Sequence, residues 1–98
     1  MLCATHILKI LTEAYPNGMP LRRIALNVYN ITNTLFEPQD REHIYSIVAD
    51  WLREESAKRG GLVVRADTKG WYKLNEKSPQ AQQMLMDFLP DEEDEWMR

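Results

Sequence analysis

LVVRADTKGWYKLN, residues 62–75, is the stretch whose reading decides the architecture of this chain. Two apolar runs flank the turn-forming DTKG, so the segment is predicted to be two strands joined by a short loop around Asp67 to Gly70. Alternation of period two puts Val63, Tyr72 and Leu74 on a face that must meet a core, with Trp71 and Lys73 on the other. A lone two-stranded hairpin is at best marginally stable in water, so this one needs helices to cover it.

Those helices are legible on both sides. In residues 4–15, Ile7, Leu8, Ile10, Leu11, Ala14 and Tyr15 form one helical stripe that PNG at 16–18 stops. MPLRRIALNVYN, residues 19–30, opens with Pro20, suited to a first helical turn. It puts Leu21, Ile24, Ala25, Val28 and Tyr29 on one face and Arg22, Arg23 and Asn27 on the other. NITNTLFE, residues 30–37, has no sustained period; it reads as an irregular connection or a frayed helical extension, with Leu35 and Phe36 inward. Pro38 and Asp40 are alternative starts for a third helix over roughly 38–58, whose Ile44, Ile47, Val48, Trp51 and Leu52 fall within one face. Gly60 and Gly61 end it by supplying left-handed conformations. After the hairpin, SPQAQQMLMDFL at 78–89 starts on Pro79 and spaces Ala81, Met84, Leu85, Phe88 and Leu89 as a last helix, before Pro90 releases an acidic tail.

The fold class is therefore α+β, mainly helical: a three-helix bundle gathered around Trp51, a hairpin projecting from it as a cationic arm, an additional C-terminal helix and the tail. One domain over residues 1–89 and a disordered acidic tail at 90–98 are expected, because 98 residues suffice for one core but not two. Hydrophobic residues make up 44% and charged residues 28%, and no apolar run approaches the ~18 residues of a membrane span. MLCATHILKILTEAY lacks a basic leader and a small-residue cleavage site, so it reads as mature structure. The single Cys3 cannot staple the domain, which points to a reducing, cytoplasmic setting.

The net charge of −3 conceals an uneven distribution. Asp87, Asp91, Glu92, Glu93, Asp94 and Glu95 against Arg98 give residues 87–98 a net −5, leaving +2 on the remainder. Within that remainder, Lys58, Arg59, Arg65, Lys69, Lys73 and Lys77 against Asp67 and Glu76 give residues 58–77 a net +4.

Three helices followed by a hairpin, in that order, make residues 4–75 resemble bacterial winged helix-turn-helix domains, and within them the HARE-type helix-turn-helix. The matching pieces are ATHILKILTEAY at 4–15, MPLRRIA at 19–25, IYSIVADWL at 44–52, and LVVRADTKGWYKLN with its aromatic-x-Leu after a glycine turn. NITNTLFEPQD at 30–40 departs from the family by being longer than a three- or four-residue turn. The resemblance implies a winged helix whose third helix enters the major groove of DNA. Its outward face, opposite Ile44 and Trp51, would hold Glu42, Ser46, Ala49, Asp50 and Arg53, with His43 and Tyr45 on the flanks. Two carboxylates there repel phosphates, leaving Arg53 and Ser46 or His43 as contacts; a solvated face with charge pairs is the alternative.

The hairpin is the stronger candidate. Arg65, Lys69 and Lys73, with Lys58 and Arg59 at the preceding helix end, can form a ridge that tracks a phosphate backbone, or can guard exposed strand edges from other chains. Trp71 can stack on a base or sugar, or cover the core. The tail admits three readings: a solubilising end, a competitor for the basic wing, or an acidic peptide for another protein. Met84, Leu85, Phe88 and Leu89 suit either homodimer packing or the domain's own first helix.

His6 and His43 have no ligand partners at metal spacing, the four glycines form no phosphate loop, and the tail lacks the spacing of a calcium loop. No enzyme, metal or cofactor is therefore expected. Two readings remain open: a small DNA-binding transcriptional regulator that holds duplex DNA with its wing, and a protein-interaction or dimerisation winged helix that does not bind DNA.

Overall fold

The computed structural model describes residues 3–33 and 38–88. Leu35, Phe36, Leu89, the side chain of Phe88 and the acidic tail lie outside the described residues. The elements run α1 (Cys3–Glu13), β1 (Met19–Pro20), α2 (Leu21–Thr32), α3 (Arg41–Ala57), β2 (Val63–Arg65), β3 (Trp71–Leu74) and α4 (Pro79–Phe88). The result is a small α+β fold, mostly helical, with a three-stranded antiparallel sheet in the order β1-β3-β2.

The core follows from the helical stripes, with one shift of centre. Ile7 and Leu11 of α1, Ile24 and Val28 of α2, and Ile44, Val48 and Leu52 of α3 are fully buried. On α3 those three residues recur every four positions and form a ridge between the other helices. Trp51, expected at the centre, sits one residue off that ridge and packs half-buried at the rim. Ala49, expected to face solvent, is buried.

Local chemistry sets the element ends. α3 begins at Arg41 and not Pro38, because the Asp40 carboxylate accepts from the Glu42 amide at 3.1 Å and caps the helix. α2 continues to Thr32, so the first residues of the 30–37 connection are helical. Pro20 is not in the first turn of α2: with φ −68 and ψ 149 it is extended, ending β1 and occupying the N-cap position without a capping bond from its side chain. A two-residue strand has too little pattern to be read from sequence; its pairing Met19↔Tyr72 and Pro20↔Trp71 is visible only in three dimensions.

The hairpin pairs Val63↔Leu74, Val64↔Lys73 and Arg65↔Tyr72. The Trp71 amide donates to the Thr68 carbonyl at 3.1 Å, and Gly70, at φ +84, holds the left-handed position of that turn. Val63, Tyr72 and Leu74 are buried against the helices, as the alternation requires. The ribbon does not project freely, however. The Leu21 amide, one of the donors that a helix start leaves unpaired, donates to the Gly70 carbonyl at 2.9 Å, so the wing turn is fastened to the head of α2.

The other end of the ribbon is held by Glu55. This buried carboxylate accepts from the Leu62 amide at 2.9 Å and from Lys58 Nζ at 3.1 Å. Asn75 adds a bond from its side-chain amide to the Gly61 carbonyl at 2.9 Å. Of the two glycines expected to be left-handed here, only Gly60 is, at φ +73; Gly61 is present because a Cβ would strike the Glu55 carbonyl oxygen. Glu55→Ala strands the Leu62 amide and is expected to cost about 2 kcal/mol in urea unfolding, with Glu55→Gln costing less because one acceptor remains. A loss below about 0.5 kcal/mol for the alanine variant would show that the clamp does not hold the ribbon.

A second tether links the turn after α1 to the segment after β3: the Tyr15 hydroxyl donates to Glu76 Oε2 at 3.0 Å. That bond to the carboxylate raises the Tyr15 phenol above its ordinary value of 10.0, with burial and the negative charge of Glu76 adding in the same direction. The contribution to stability is thus fully present below the ordinary phenol value and is lost as pH rises through the raised one. Glu76→Gln is expected to move this phenol back down, seen as one tyrosine ionising earlier in a phenolate absorbance titration. An unchanged titration curve would contradict the tether.

Candidate nucleic-acid interface

On α2, positions 22, 26 and 29 recur at i, i+4 and i+7 and share a face. On α3, positions 41 and 45 do the same in the first turn. α2 packs more extensively against α3 than any other pair of elements does, and this brings the two faces together across a groove of about 570 Å3. Arg22, Arg23, Leu26 and Tyr29 line it from α2, and Arg41, Glu42 and Tyr45 from α3.

The electrostatics of the groove are lopsided. Arg22, Arg23 and Arg41 are all exposed and make no ion pair among the described residues. Glu42 is the only carboxylate in the lining. The Arg41 guanidinium lies 5.5 Å from the centre of the Tyr29 ring, a cation–π contact that holds the side chain over the groove. Leu26 is 44% exposed and Tyr45 41%, so the cationic rim encloses an apolar, aromatic floor.

Pro20 forms one end of the groove and pairs with Trp71, while Leu21 is bonded to Gly70. The wing turn is therefore fastened to the head of α2, and the exposed Lys69 lies in that turn. A second, smaller depression of about 280 Å3 on the wing is lined by Arg65, Lys69 and Trp71 among others.

Comparisons with protein-family models, curated proteins and solved structures return no match. What this surface does must be argued from its own chemistry.

The residues expected from sequence are only partly gathered there. Lys69 and Arg65 are exposed on the wing, but the register puts Arg65 on the face of Tyr72 and Lys73 on the opposite one, so they do not form a single ridge. Lys73 and Trp71 are both half-buried, Lys73 having its Cβ packed close to Gly18. Arg53 pairs with Asp50 at 3.2 Å and Lys58 with Glu55 at 3.1 Å, which offsets their charge. Arg59 is exposed after the end of α3, and Ser46 is exposed on its outer face.

Met84 and Leu85 pack half-buried against the domain's own core, and α4 contacts α1, leaving Met86 exposed among the described side chains of that helix. Among the described residues no cluster of three or more His, Cys, Asp or Glu side chains could hold a metal ion, and no helix is long and apolar enough to cross a membrane.

Sequence reasoning missed Arg22, Arg23, Arg41 and Tyr45 as a group. The paired arginines and the four-residue spacing of Arg41 and Tyr45 were visible, but nothing in the sequence showed that the two helices present them to one groove.

Proposed function

We propose that this protein is a winged-helix nucleic-acid-binding protein, a small transcriptional regulator that holds duplex DNA across the heads of α2 and α3 and the wing turn. The observation that carries the reading is the joining of three arginines without ion-pair partners among the described residues to the wing turn through the bond between Leu21 and Gly70. Arginine forks suit phosphate oxygens, and amides at helix starts favour anions. The wing supplies Lys69 and Arg65 alongside. The element order, three helices and then a hairpin, supports the winged-helix assignment.

The test is binding of a labelled random-sequence duplex, followed by fluorescence anisotropy at low salt. Lys69→Glu is expected to weaken binding about ten-fold, the equivalent of roughly 1.4 kcal/mol. Lys77→Glu, beyond the opposite end of β3, should leave it nearly unchanged. Equal losses for the two variants would mean that net charge, not this surface, governs binding.

A second reading, a protein-docking winged helix without DNA affinity, draws on the exposed Glu42, Asp50 and Glu54 of α3. It predicts that none of these substitutions matters, because no duplex binds.

A further inference from the structure

The groove contains more than a phosphate-binding strip requires. Phosphates need cations, which Arg22, Arg23 and Arg41 supply at its rim. They do not need a floor of Leu26, Tyr29 and Tyr45, with two of those side chains more than two-fifths exposed. Among the described residues Ile31 and Met86 are more exposed still, but Leu26 and Tyr45 line one groove together with three arginines, and that combination has a ligand chemistry of its own. Unpaired bases are held in this way: their backbone follows positive charge while the base stacks on an aromatic face. A volume of about 570 Å3 falls within the range of small-ligand sites.

We propose that the groove takes an unpaired nucleotide, its base against Tyr45 and Leu26 and its phosphates between Arg22 and Arg23, so that the protein prefers duplexes carrying a bulge or flap over continuous ones. Tyr29 is the less available of the two rings, being half-buried with the Arg41 guanidinium over it. Tyr45, one turn along α3 from Arg41, has its ring open to the groove. Glu42 sits where it can accept from a base amino group, which would give the site a preference among bases. The proposal rests on the nucleic-acid reading above and specifies the kind of nucleic acid.

The experiment measures the affinity of the full chain for two labelled probes: a continuous duplex, and the same duplex with one unpaired nucleotide. The expected result is about ten-fold tighter binding of the bulged probe, the size of one base–aromatic stack. Tyr45→Ala should abolish the preference by weakening the bulged probe about ten-fold more than the continuous one, whereas Arg22→Glu with Arg23→Glu should weaken both probes alike. Equal affinity for the two probes overturns the inference and leaves duplex binding standing. If neither probe binds, both readings fail. If the peptide DEEDEWMR, residues 91–98, instead displaces a bulged probe from the wild type but not from a groove variant, the groove takes an acidic protein segment, and the inference falls.

Discussion

Gly18→Ala is expected to lower the midpoint of thermal unfolding by roughly 10 to 20 °C. Two independent costs combine. Gly18 has φ +81, a region where a side chain costs roughly 1 to 2 kcal/mol. The added Cβ would also overlap the carbonyl oxygen of Tyr72 and come within 2.8 Å of the Lys73 Cβ, so the strain falls on β3 backbone that cannot rotate out of the way. Together they amount to about 3 kcal/mol or more, a large share of the ~5 to 15 kcal/mol that holds a domain folded. The damage should be directional. Gly18 lets the link between α1 and α2 cross against β3, and β1 follows it immediately. Pushing that link away opens Met19↔Tyr72 and Pro20↔Trp71, then the bond from Leu21 to Gly70. Amide hydrogen exchange should therefore quicken at Leu21 more than at Leu52. Gly70→Ala is a useful contrast: Gly70 has a similar φ, but its Cβ would meet nothing, so only the first cost applies.

Arg22→Glu combined with Arg23→Glu is expected to lower duplex affinity about 100-fold at about 50 mM salt and to make its salt dependence shallower by about two contacts. Two phosphate partners are removed and two repelling carboxylates replace them. Unfolding is not a competing explanation. Both positions are exposed, and both lie in the first turn of α2, where carboxylates are favoured by the positive end of the helix. The variant should unfold at the wild-type temperature or slightly above it. A lowered unfolding temperature would show that these arginines carry structure, and the binding result would then say little about phosphates.

The fold was legible wherever one residue pattern ran long enough. The stripes of α1 and α2 and the alternation of the hairpin each point to a single buried face, and Ile7, Ile24, Val63 and Leu74 lie there. The readings failed where one turn of helix or one residue decides. Trp51 and Leu52 are neighbours within the same broad apolar arc, and packing against two other helices selects Leu52 for the centre. Ala49 belongs to no stripe and is nonetheless buried. The candidate site was less legible because its cations lie on different elements. Lys69 was read from local charge density, which holds for a turn. Arg22 and Arg23 were read as the solvent side of a helix, and so they are; they meet Arg41 because α2 packs on α3, while Leu21 is bonded to the wing turn. Local density gave undue weight to Lys58, and the outward face of the third helix to Arg53; their partners Glu55 and Asp50 are three residues away in sequence.

The central claim, that Arg22, Arg23, Arg41 and Lys69 form one surface that displaces counterions from DNA, is tested most directly by titrating duplex affinity against salt. Four such contacts predict a slope of about −3 to −4 for the logarithm of the binding constant against the logarithm of salt concentration. Affinity indifferent to salt, or no binding at about 50 mM, would contradict it.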